Sequence, residues 1–301
     1  MALSPLYNAV RRGKWFISFR EVETHLPLLD KLLDRGISGE DFSGRKREPL
    51  VALIVSGKEM KSGGTFADAP KGSTAIIPIQ GTLLKYGTLC SHGTMEIAEL
   101  IREAAGSANI ASILLDIDSG GGSVDAIAPL VDAIAHAKSQ GKPVVAHCDL
   151  CASAAYYAAS YCDEIIASND ISAEFGSIGV MMSFSDFAKQ YETAGVKVHT
   201  IYSSLSDYKN APFEAAKKGD YAAIREEELD PLARDFQENV KTNRAGRLKL
   251  ETEGLLRGRM FYAKDAVEVG LADAVGTREF AIRRADELNG NAIINEYIHS
   301  F

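Results

Sequence analysis

The stretch Ile113–Val124, with the sequence ILLDIDSGGGSV, is the part of the chain that decides its fold class. Residues Ile113–Ile117 are compact, largely apolar and bounded by turn residues, which predicts a buried strand. Three consecutive glycines follow within Asp118–Val124, and a helix is expected after them with Ser123 as its cap. A strand that runs through a glycine turn into a helix is a unit of the α/β class.

The same alternation of short apolar runs and longer amphipathic runs continues on both sides of this stretch. Further strands are predicted at Ala75–Ile79, Val144–Ala146, Glu164–Ala167 and Val198–Tyr202, and further helices at Met95–Ala105, Ala152–Ala159, Ser185–Gly195 and Ala222–Arg244. The helix after Ser123 should end near Gly141 and Pro143, and Pro129 should kink it or delay its start. Strands that alternate with helices predict an α/β fold with parallel strand pairing.

Composition divides the chain into three predicted regions. Residues 1–72 form an N-terminal extension and linker, with a short helical pattern at Leu28–Leu33 and a Gly- and Ser-rich stretch from Ser62 to Ser73. Residues 73–277 form the main domain, because the strand and helix alternation begins and ends there. Residues 278–301 are predicted to be a C-terminal tail.

The overall composition is that of an ordinary soluble globular protein, with 46% hydrophobic and 25% charged residues among 301. The net charge of −8 argues against nucleic-acid binding, which usually needs a basic surface. Residues Met1–Glu21 lack the apolar run of a signal peptide, and no later segment is long enough to span a bilayer. Four cysteines are too few for a disulfide framework. We therefore expect a soluble, cytoplasmic protein without a membrane anchor.

The glycine run Gly120–Gly122 has three interpretations. Its exposed N–H groups suit a phosphate cradle, but no Lys-Ser/Thr pair follows and the G-x-G-x-x-G spacing is absent, so the nucleotide motifs fail. The same N–H groups suit an oxyanion hole, which stabilises the charge that develops in acyl transfer. The run is also compatible with a tight turn that has no chemical role.

Two further segments carry reactive side chains after predicted strands. Ser153 lies among small residues in Cys151–Tyr157, at a strand-to-helix turn that resembles a nucleophile elbow, although the G-x-S-x-G signature is missing. A helix that packs closely through small residues is the structural alternative. Lys209 follows the predicted strand Val198–Tyr202. It is ordinarily a solvated charge, and it can act as a general base only if burial lowers its pKa from about 10.4 towards about 7–8.

Taken together, these segments resemble the S49 family of serine peptidases, which includes signal peptide peptidase A and the head-maturation proteases of tailed phages. The resemblance extends over about two-thirds of the chain, from Thr74 to Gly276. It is carried by five segments in order, Gly141–Val145, Ala152–Tyr157, Gly176–Val180, Tyr208–Lys209 and Gly258–Ala266, the last followed by Gly270–Asp273. It implies a ClpP/crotonase-like fold, peptide hydrolysis by a Ser–Lys dyad and no cofactor or metal.

The resemblance also implies a role for each matching residue. Ser153 would be the nucleophile, and Lys209 the base that takes its proton and later returns it to the leaving amine. The N–H groups of Gly121 and Ala154 would form the oxyanion hole, and the hydroxyl of Ser177 would hold the lysine amine in place.

The chain departs from the family pattern at two places. Gly120 stands where the family usually has a proline, which makes the loop more flexible, and Ala154-Ala155 stands where it usually has Gly-Gly. Neither change removes a backbone donor, so both are compatible with the chemistry.

Several alternatives remain open from the sequence alone. A Ser-His-Asp triad could form with one of the six histidines. The cluster His147, Cys148, Cys151 and Cys162 could bind zinc, because Cys-x-x-Cys is a common ligand pair, or its thiols could simply be buried. Cys151 itself could be a nucleophile. In other classes, the chain could be a non-proteolytic, acyl-CoA-handling crotonase-like protein or a structural capsid-associated protein.

The lack of an anchor and the polar extension of about seventy residues favour the phage-type branch. Such a protease would act on scaffold or capsid precursors inside the prohead, and a cytoplasmic signal-peptide or housekeeping peptidase is the alternative. The resemblance also implies a homo-oligomer, because family members form rings and some share active-site residues between subunits. The composition of the N-terminal region would suit a self-cleaved propeptide.

Overall fold

The computed structural model describes residues 14–17, 50–56, 59–62, 65–88, 91–184 and 188–299. Its strands are β1 (Lys14–Ile17), β2 (Leu53–Ser56), β3 (Glu59–Ser62), β4 (Ser73–Gln80), β5 (Ile110–Ser119), β6 (Gly121–Ser123), β7 (Val144–Ala152), β8 (Glu164–Ala167), β9 (Glu174–Gly176), β10 (Met181–Met182), β11 (Met260–Tyr262) and β12 (Ala274–Val275). Its α-helices are α1 (Thr94–Gly106), α2 (Ile127–Ser139), α3 (Ala154–Ala159), α4 (Ala188–Thr193), α5 (Ala211–Ala216), α6 (Asp230–Asn243), α7 (Ala263–Glu268) and α8 (Arg278–His299).

The main sheet has the strand order β11-β9-β7-β5-β4-β2-β3, with β8 beside β7 and β12 beside β8. The pairs β4–β5, β5–β7, β7–β8 and β7–β9 are parallel, whereas β2 and β11 add antiparallel strands at the two sides. The predicted α/β fold with parallel strand pairing is therefore confirmed. A second, three-stranded sheet has the order β10-β1-β6.

Burial on both faces explains the uninterrupted apolar run Ile113–Leu115 in the central strand β5. Along β5, Ile113 and Leu115 belong to the larger core, which α1, α2 and α3 also line. Leu114 points the other way and packs with Val145 of β7 and Ala281 of α8. Because side chains alternate between faces along a strand, an uninterrupted apolar run requires a layer of helices on each side.

A buried ion pair fixes the end of α6 to the sheet. Arg244 is 1% exposed, and its guanidinium lies 2.8 Å from one carboxylate oxygen of Asp273 and 3.0 Å from the other. It also donates two hydrogen bonds to the carbonyl of Gly270. Asp273 in turn accepts from the N–H of Ile165 on β8. The buried charge is therefore fully compensated, as a buried ion pair requires.

Most of the predicted elements are present. The strands predicted around 75–79, 113–117, 144–146 and 164–167 correspond to β4, β5, β7 and β8, and the helices predicted at 95–105 and 152–159 correspond to α1 and α3. The helix after the glycines starts late, at Ile127 behind a 3-10 turn at Val124–Ala126, with Pro129 in its first turn. The helix predicted at 222–244 contains a π-helical turn at Ile224–Leu229, next to Pro231.

Two predicted details are wrong. Val198–Tyr202 is not a strand but an irregular segment, and Ile201 is 92% exposed. Its β-branched residues favour a strand, but no strand in the described part of the chain pairs with them, and pairing is what stabilises a strand. Ser123 makes no side-chain cap, because its hydroxyl donates to Asp125 instead. The helix at Leu28–Leu33 and the cap at Ser185 lie outside the described residues.

The two flanking regions contribute to the main sheet. Strand β2, from the predicted extension, pairs antiparallel with β4, and helix α8, from the predicted tail, packs on the second face. The boundaries at 72/73 and 277/278 remain predictions. Among the described residues, every helix is too short or too polar to cross a membrane.

Candidate active site

The parallel register brings the glycine run and Ser153 to the same edge of the sheet. Ser119 of β5 pairs with Cys151 of β7, so Gly121 and Ser153 each lie two residues beyond this pair. Helix α3, which begins directly after Ser153, lies against β6. The carboxyl ends of parallel strands are where α/β folds place their sites.

Ser153 occupies a strained turn between β7 and α3. Its φ is 53° and its ψ is −118°, a conformation that non-glycine residues rarely adopt. Two backbone hydrogen bonds fix it there: its N–H donates to the carbonyl of Gly176 (2.9 Å), and its carbonyl accepts from the N–H of Tyr157 (2.8 Å). Strain that the surroundings enforce is common at active sites, and this turn has the geometry of a nucleophile elbow.

The hydroxyl of Ser153 is only weakly engaged. Ser153 is 1% exposed, and its Oγ lies 3.5 Å from the carbonyl oxygen of Gly179, at the limit of a hydrogen bond. The next residues, Ala154 and Ala155, are small and buried. The hydroxyl is therefore held in place without a strong partner that would prevent it from reacting.

The glycine run requires glycine for steric reasons. Gly121 has a φ of 105°, and a side chain on Gly122 would place its Cβ 1.9 Å from the carbonyl oxygen of Leu83. The N–H of Gly121 donates to the Oγ of Ser119 (3.2 Å), whose hydroxyl donates to Gly81 (2.6 Å). Ser119 is a site residue that sequence reasoning missed, although a hydroxyl directly before the glycines was a visible signal.

The two predicted oxyanion-hole donors differ in their engagement. Ala154 is the first residue of α3, a position whose N–H has no acceptor within the helix. Gly121, in contrast, must exchange its bond to Ser119 before its N–H can stabilise an oxyanion. The N–H of Ala154 can therefore donate to an oxyanion directly, whereas the N–H of Gly121 can do so only after its hydrogen bond to Ser119 is broken.

Ser177 lies beside Ser153 on the adjacent strand end. Ala152 of β7 pairs with Gly176 of β9, which directly precedes Ser177. Ser177 is half-buried with a φ of 53°, and its N–H donates to the carbonyl of Arg259 (3.1 Å). The structure therefore brings Gly121, Ser153 and Ser177 to one edge of the sheet.

Lys209 is not joined to this group within the single chain. It lies in a turn before α5, where its N–H donates to the carbonyl of Ser206 (3.1 Å), and its side chain is exposed. Within the part of the chain that the structure describes, its ammonium has no hydrogen-bond or ion-pair partner. The single chain thus does not provide the burial that a lysine base needs.

The buried histidine His147 is engaged away from Ser153. In His147, Nδ1 lies 3.4 Å from Asp116 and Nε2 lies 3.2 Å from the carbonyl of Gly276. Asp116 also forms an ion pair with Arg278 of α8. The structure therefore gives no support to a Ser-His-Asp triad built on His147.

The thiols have the environment of packed core residues. Cys148, Cys151 and Cys162 are free and buried, and burial raises the pKa of Cys148 and of Cys162. A raised pKa favours the neutral thiol over the thiolate that binds zinc or acts as a nucleophile. Among the described residues, which do not include Cys90, no three His, Cys, Asp or Glu side chains are placed to hold a metal ion.

A parallel α/β sheet with a strained serine beside a glycine loop is the fold and site expected of a ClpP/crotonase-like protein. The model of peptidase family S49 matches residues 136–291, which is more than half of the chain. The chain therefore belongs to peptidase family S49, as its motifs indicated.

Curated relatives include phage and bacterial proteins. The head-tail preconnector protein GP5 of Enterobacteria phage P21 is 30% identical over 262 residues, which are 84% of this chain and 47% of that protein. Capsid assembly protease C of Escherichia phage lambda is 27% identical over 80% of this chain and 54% of its own length. Protease 4 of Haemophilus influenzae is 27% identical over 71% and 34%. The chain thus spans about half the length of these relatives or less.

Among solved structures, a membrane-bound stomatin-specific protease is similar, with a TM-score of 0.45 and 14% identity. The match covers 72% of this chain and 85% of that one.

Proposed function

We propose that this chain is a serine endopeptidase in which Ser153 is the nucleophile and Lys209 the general base. The observation that carries the proposal is the conformation of Ser153, a buried hydroxyl with a φ of 53° at a strand-to-helix turn. Membership of peptidase family S49 supports a catalytic role for the serine in this turn. Ser–Lys chemistry requires no metal or cofactor.

The proposed reaction proceeds in two acyl-transfer steps. Oγ of Ser153 attacks the carbonyl carbon of the scissile peptide bond while neutral Lys209 takes the hydroxyl proton. The N–H groups of Ala154 and Gly121 stabilise the resulting oxyanion, with Gly121 released from Ser119. The lysine then gives its proton to the leaving amine, and an acyl-enzyme remains. Water, activated by the same lysine, hydrolyses the ester and regenerates Ser153.

We propose that a second copy of the chain completes the site. Lys209 is exposed, and it follows a segment in which Ile201 and Leu205 are each 92% exposed. Two large apolar side chains that are almost fully exposed within five residues are typical of an interaction surface. A neighbouring subunit that covers this surface would bury the lysine amine near a serine site. Ser177 would then hold the amine in place.

Proteins of the phage head are the substrates that we propose. Two relatives over most of this chain carry the printed names head-tail preconnector protein and capsid assembly protease, both from phages. This supports cleavage of scaffold or capsid precursors, within the prohead. A housekeeping peptidase of the cytoplasm is the second candidate, supported by the similarity to Protease 4.

The test is intact and fragment mass spectrometry of an unfolded protein incubated with wild type, Ser153→Ala and Lys209→Ala. We expect no fragments from Ser153→Ala, and a cleavage rate about 10²–10⁴-fold below wild type for Lys209→Ala, which lacks the base. Lys218→Ala is the matched control, because Lys218 is also an exposed lysine near α5, at its other end, and this variant should cleave like wild type. Equal cleavage by Ser153→Ala would disprove the assignment of the nucleophile.

A further inference from the structure

The second sheet places an N-terminal strand directly beside the glycine loop. Strand β1 (Lys14–Ile17) lies between β6 and β10 and runs antiparallel to both. In its register with β6, Ile17 pairs with Gly121 and Phe16 pairs with Gly122. The residue opposite the proposed oxyanion-hole glycine is therefore a residue of the chain's own N-terminal region.

The other neighbour of β1 also belongs to the site. Lys14 pairs with Met182 of β10, and β10 follows closely after Gly179, whose carbonyl lies 3.5 Å from the Oγ of Ser153. The two strands that flank β1 are thus the two segments that approach the serine from either side. An extended peptide that pairs with these two strands beside Ser153 would occupy the same gap.

Strand β1 provides the main-chain pairing of both flanking strands. Strand β10 pairs only with β1 among the described residues, and β6 otherwise makes a single bridge to Leu83. Without β1, their N–H and C=O groups would form open edges, and an open edge binds an added strand. This gap is therefore a groove for one extended strand, and β1 fills it.

We infer that β1 is an internal occupant of the peptide-binding groove, which an external substrate must displace. The inference rests on the proposed function in placing the reacting bond beside Gly121 and Ser153. A tethered competitor acts at a high effective concentration, so it lowers the apparent affinity for every peptide in solution. Strand β1 pairs with β6 at three positions and with β10 at two, so it is short enough to be displaced.

The occupant also indicates the class of peptide that fits. Its sequence, Lys-Trp-Phe-Ile, is apolar at three of four positions. Met182, which pairs with Lys14, also lines an open cavity of about 610 Å³ together with Phe184 and Ile224. Lys217, Tyr221 and Arg225 also line this cavity, so its lining is mixed in polarity. The sequence of the occupant therefore indicates the substrate class, an extended and largely apolar segment of an unfolded or partly folded protein.

The test measures peptide binding, not hydrolysis, so it is independent of the Ser–Lys assignment. A fluorescein-labelled peptide with the sequence of residues 11–20 is titrated into the full chain carrying Ser153→Ala, and its anisotropy is followed. The titration is repeated on the Ser153→Ala chain that also carries Phe16→Pro, because proline removes a main-chain donor and disrupts strand pairing. Phe16→Ala is the matched control, since it keeps the main chain. We expect at least about tenfold tighter binding with Phe16→Pro than with Phe16→Ala.

Equal affinities for the two variants, or no binding by either, would overturn the inference. A second measurement covers the case in which Phe16→Pro misfolds. Amide hydrogen exchange is recorded on the Ser153→Ala chain with and without excess peptide. Displacement should raise the exchange of residues 14–17 while residues 121–123 stay protected. Unchanged exchange at 14–17 on peptide binding would contradict the inference, whatever the catalytic residues prove to be.

Discussion

At the scale of single residues, the site depends on a backbone conformation that costs free energy. A non-glycine residue with a positive φ costs on the order of 1–3 kcal/mol, and Ser153 and Ser177 both have a φ of 53°. Ser153 keeps this conformation because Gly176 and Tyr157 bind its main chain on both sides. The strain has a geometric result, since it fixes the hydroxyl at the start of α3, beside the N–H of Ala154.

A comparison of Ser153→Gly with Ser153→Ala measures this strain. Both variants lose the nucleophile, so both should be inactive, but only glycine adopts the positive φ without strain. We expect Ser153→Gly to have a free energy of unfolding about 1 kcal/mol higher than Ser153→Ala, after allowance for the greater freedom of glycine in the unfolded chain. Urea unfolding of the two variants gives the difference. A more stable alanine variant would show that the turn is not strained.

At the scale of elements, the sequence predicted what burial and local turn chemistry control. β5 was predictable because burial on both faces leaves an apolar run, here Ile113–Leu115, and the glycine run was predictable because Gly121 needs its φ of 105°. Val198–Tyr202 has the composition of a strand, but strand formation depends on a partner that no local pattern reveals. The pairing of β1 with β6 was unpredictable for the same reason. The position of Lys209 likewise depends on packing beyond its own segment.

The contact between β5 and α8 should make stability depend on pH. Burial acts to raise the pKa of Asp116, but hydrogen bonding and the charges of His147 and Arg278 outweigh it, so its pKa is lowered. The unfolded carboxyl has a pKa of about 3.9 and binds protons first as the pH falls. The stabilisation by Asp116 is therefore complete above that value and is lost as the pH falls towards the folded pKa.

Asp116→Asn tests this dependence. At pH 7 we expect it to lower the free energy of unfolding by about 1–3 kcal/mol, because it removes a charged hydrogen-bond acceptor. The difference from wild type should shrink as the pH is lowered from about 5 to about 3, measured by urea unfolding at each pH. Asp132→Asn, at an exposed position on α2, is the control for loss of one negative charge. A difference that does not vary with pH would contradict the assignment.

At the scale of the whole molecule, the single chain contains a serine site and an exposed lysine that are not in contact. Ser153 is 1% exposed within the main sheet, whereas Tyr208, next to Lys209, is 82% exposed. The assembly that we propose, with cyclic symmetry, would resolve this separation, because the exposed segment around Lys209 of each chain could meet the serine site of its neighbour. The activity should then require association, and a fully active monomer would contradict the shared site.

Mixing two inactive variants decides whether the site is shared. Ser153→Ala retains the lysine, and Lys209→Ala retains the serine. A site between subunits is therefore complete wherever the serine of a Lys209→Ala chain meets Lys209 of a Ser153→Ala neighbour. In an equal mixture, random assembly with cyclic symmetry restores about a quarter of the sites. We expect peptide hydrolysis at about a quarter of the wild-type rate after the variants are dissociated together and reassembled. The doubly substituted chain, mixed with either single variant, provides the control without recovery. If Ser153 and Lys209 of the same chain act together, no mixture recovers activity. Lys209 must then move from its exposed position to Ser153 of its own chain before catalysis.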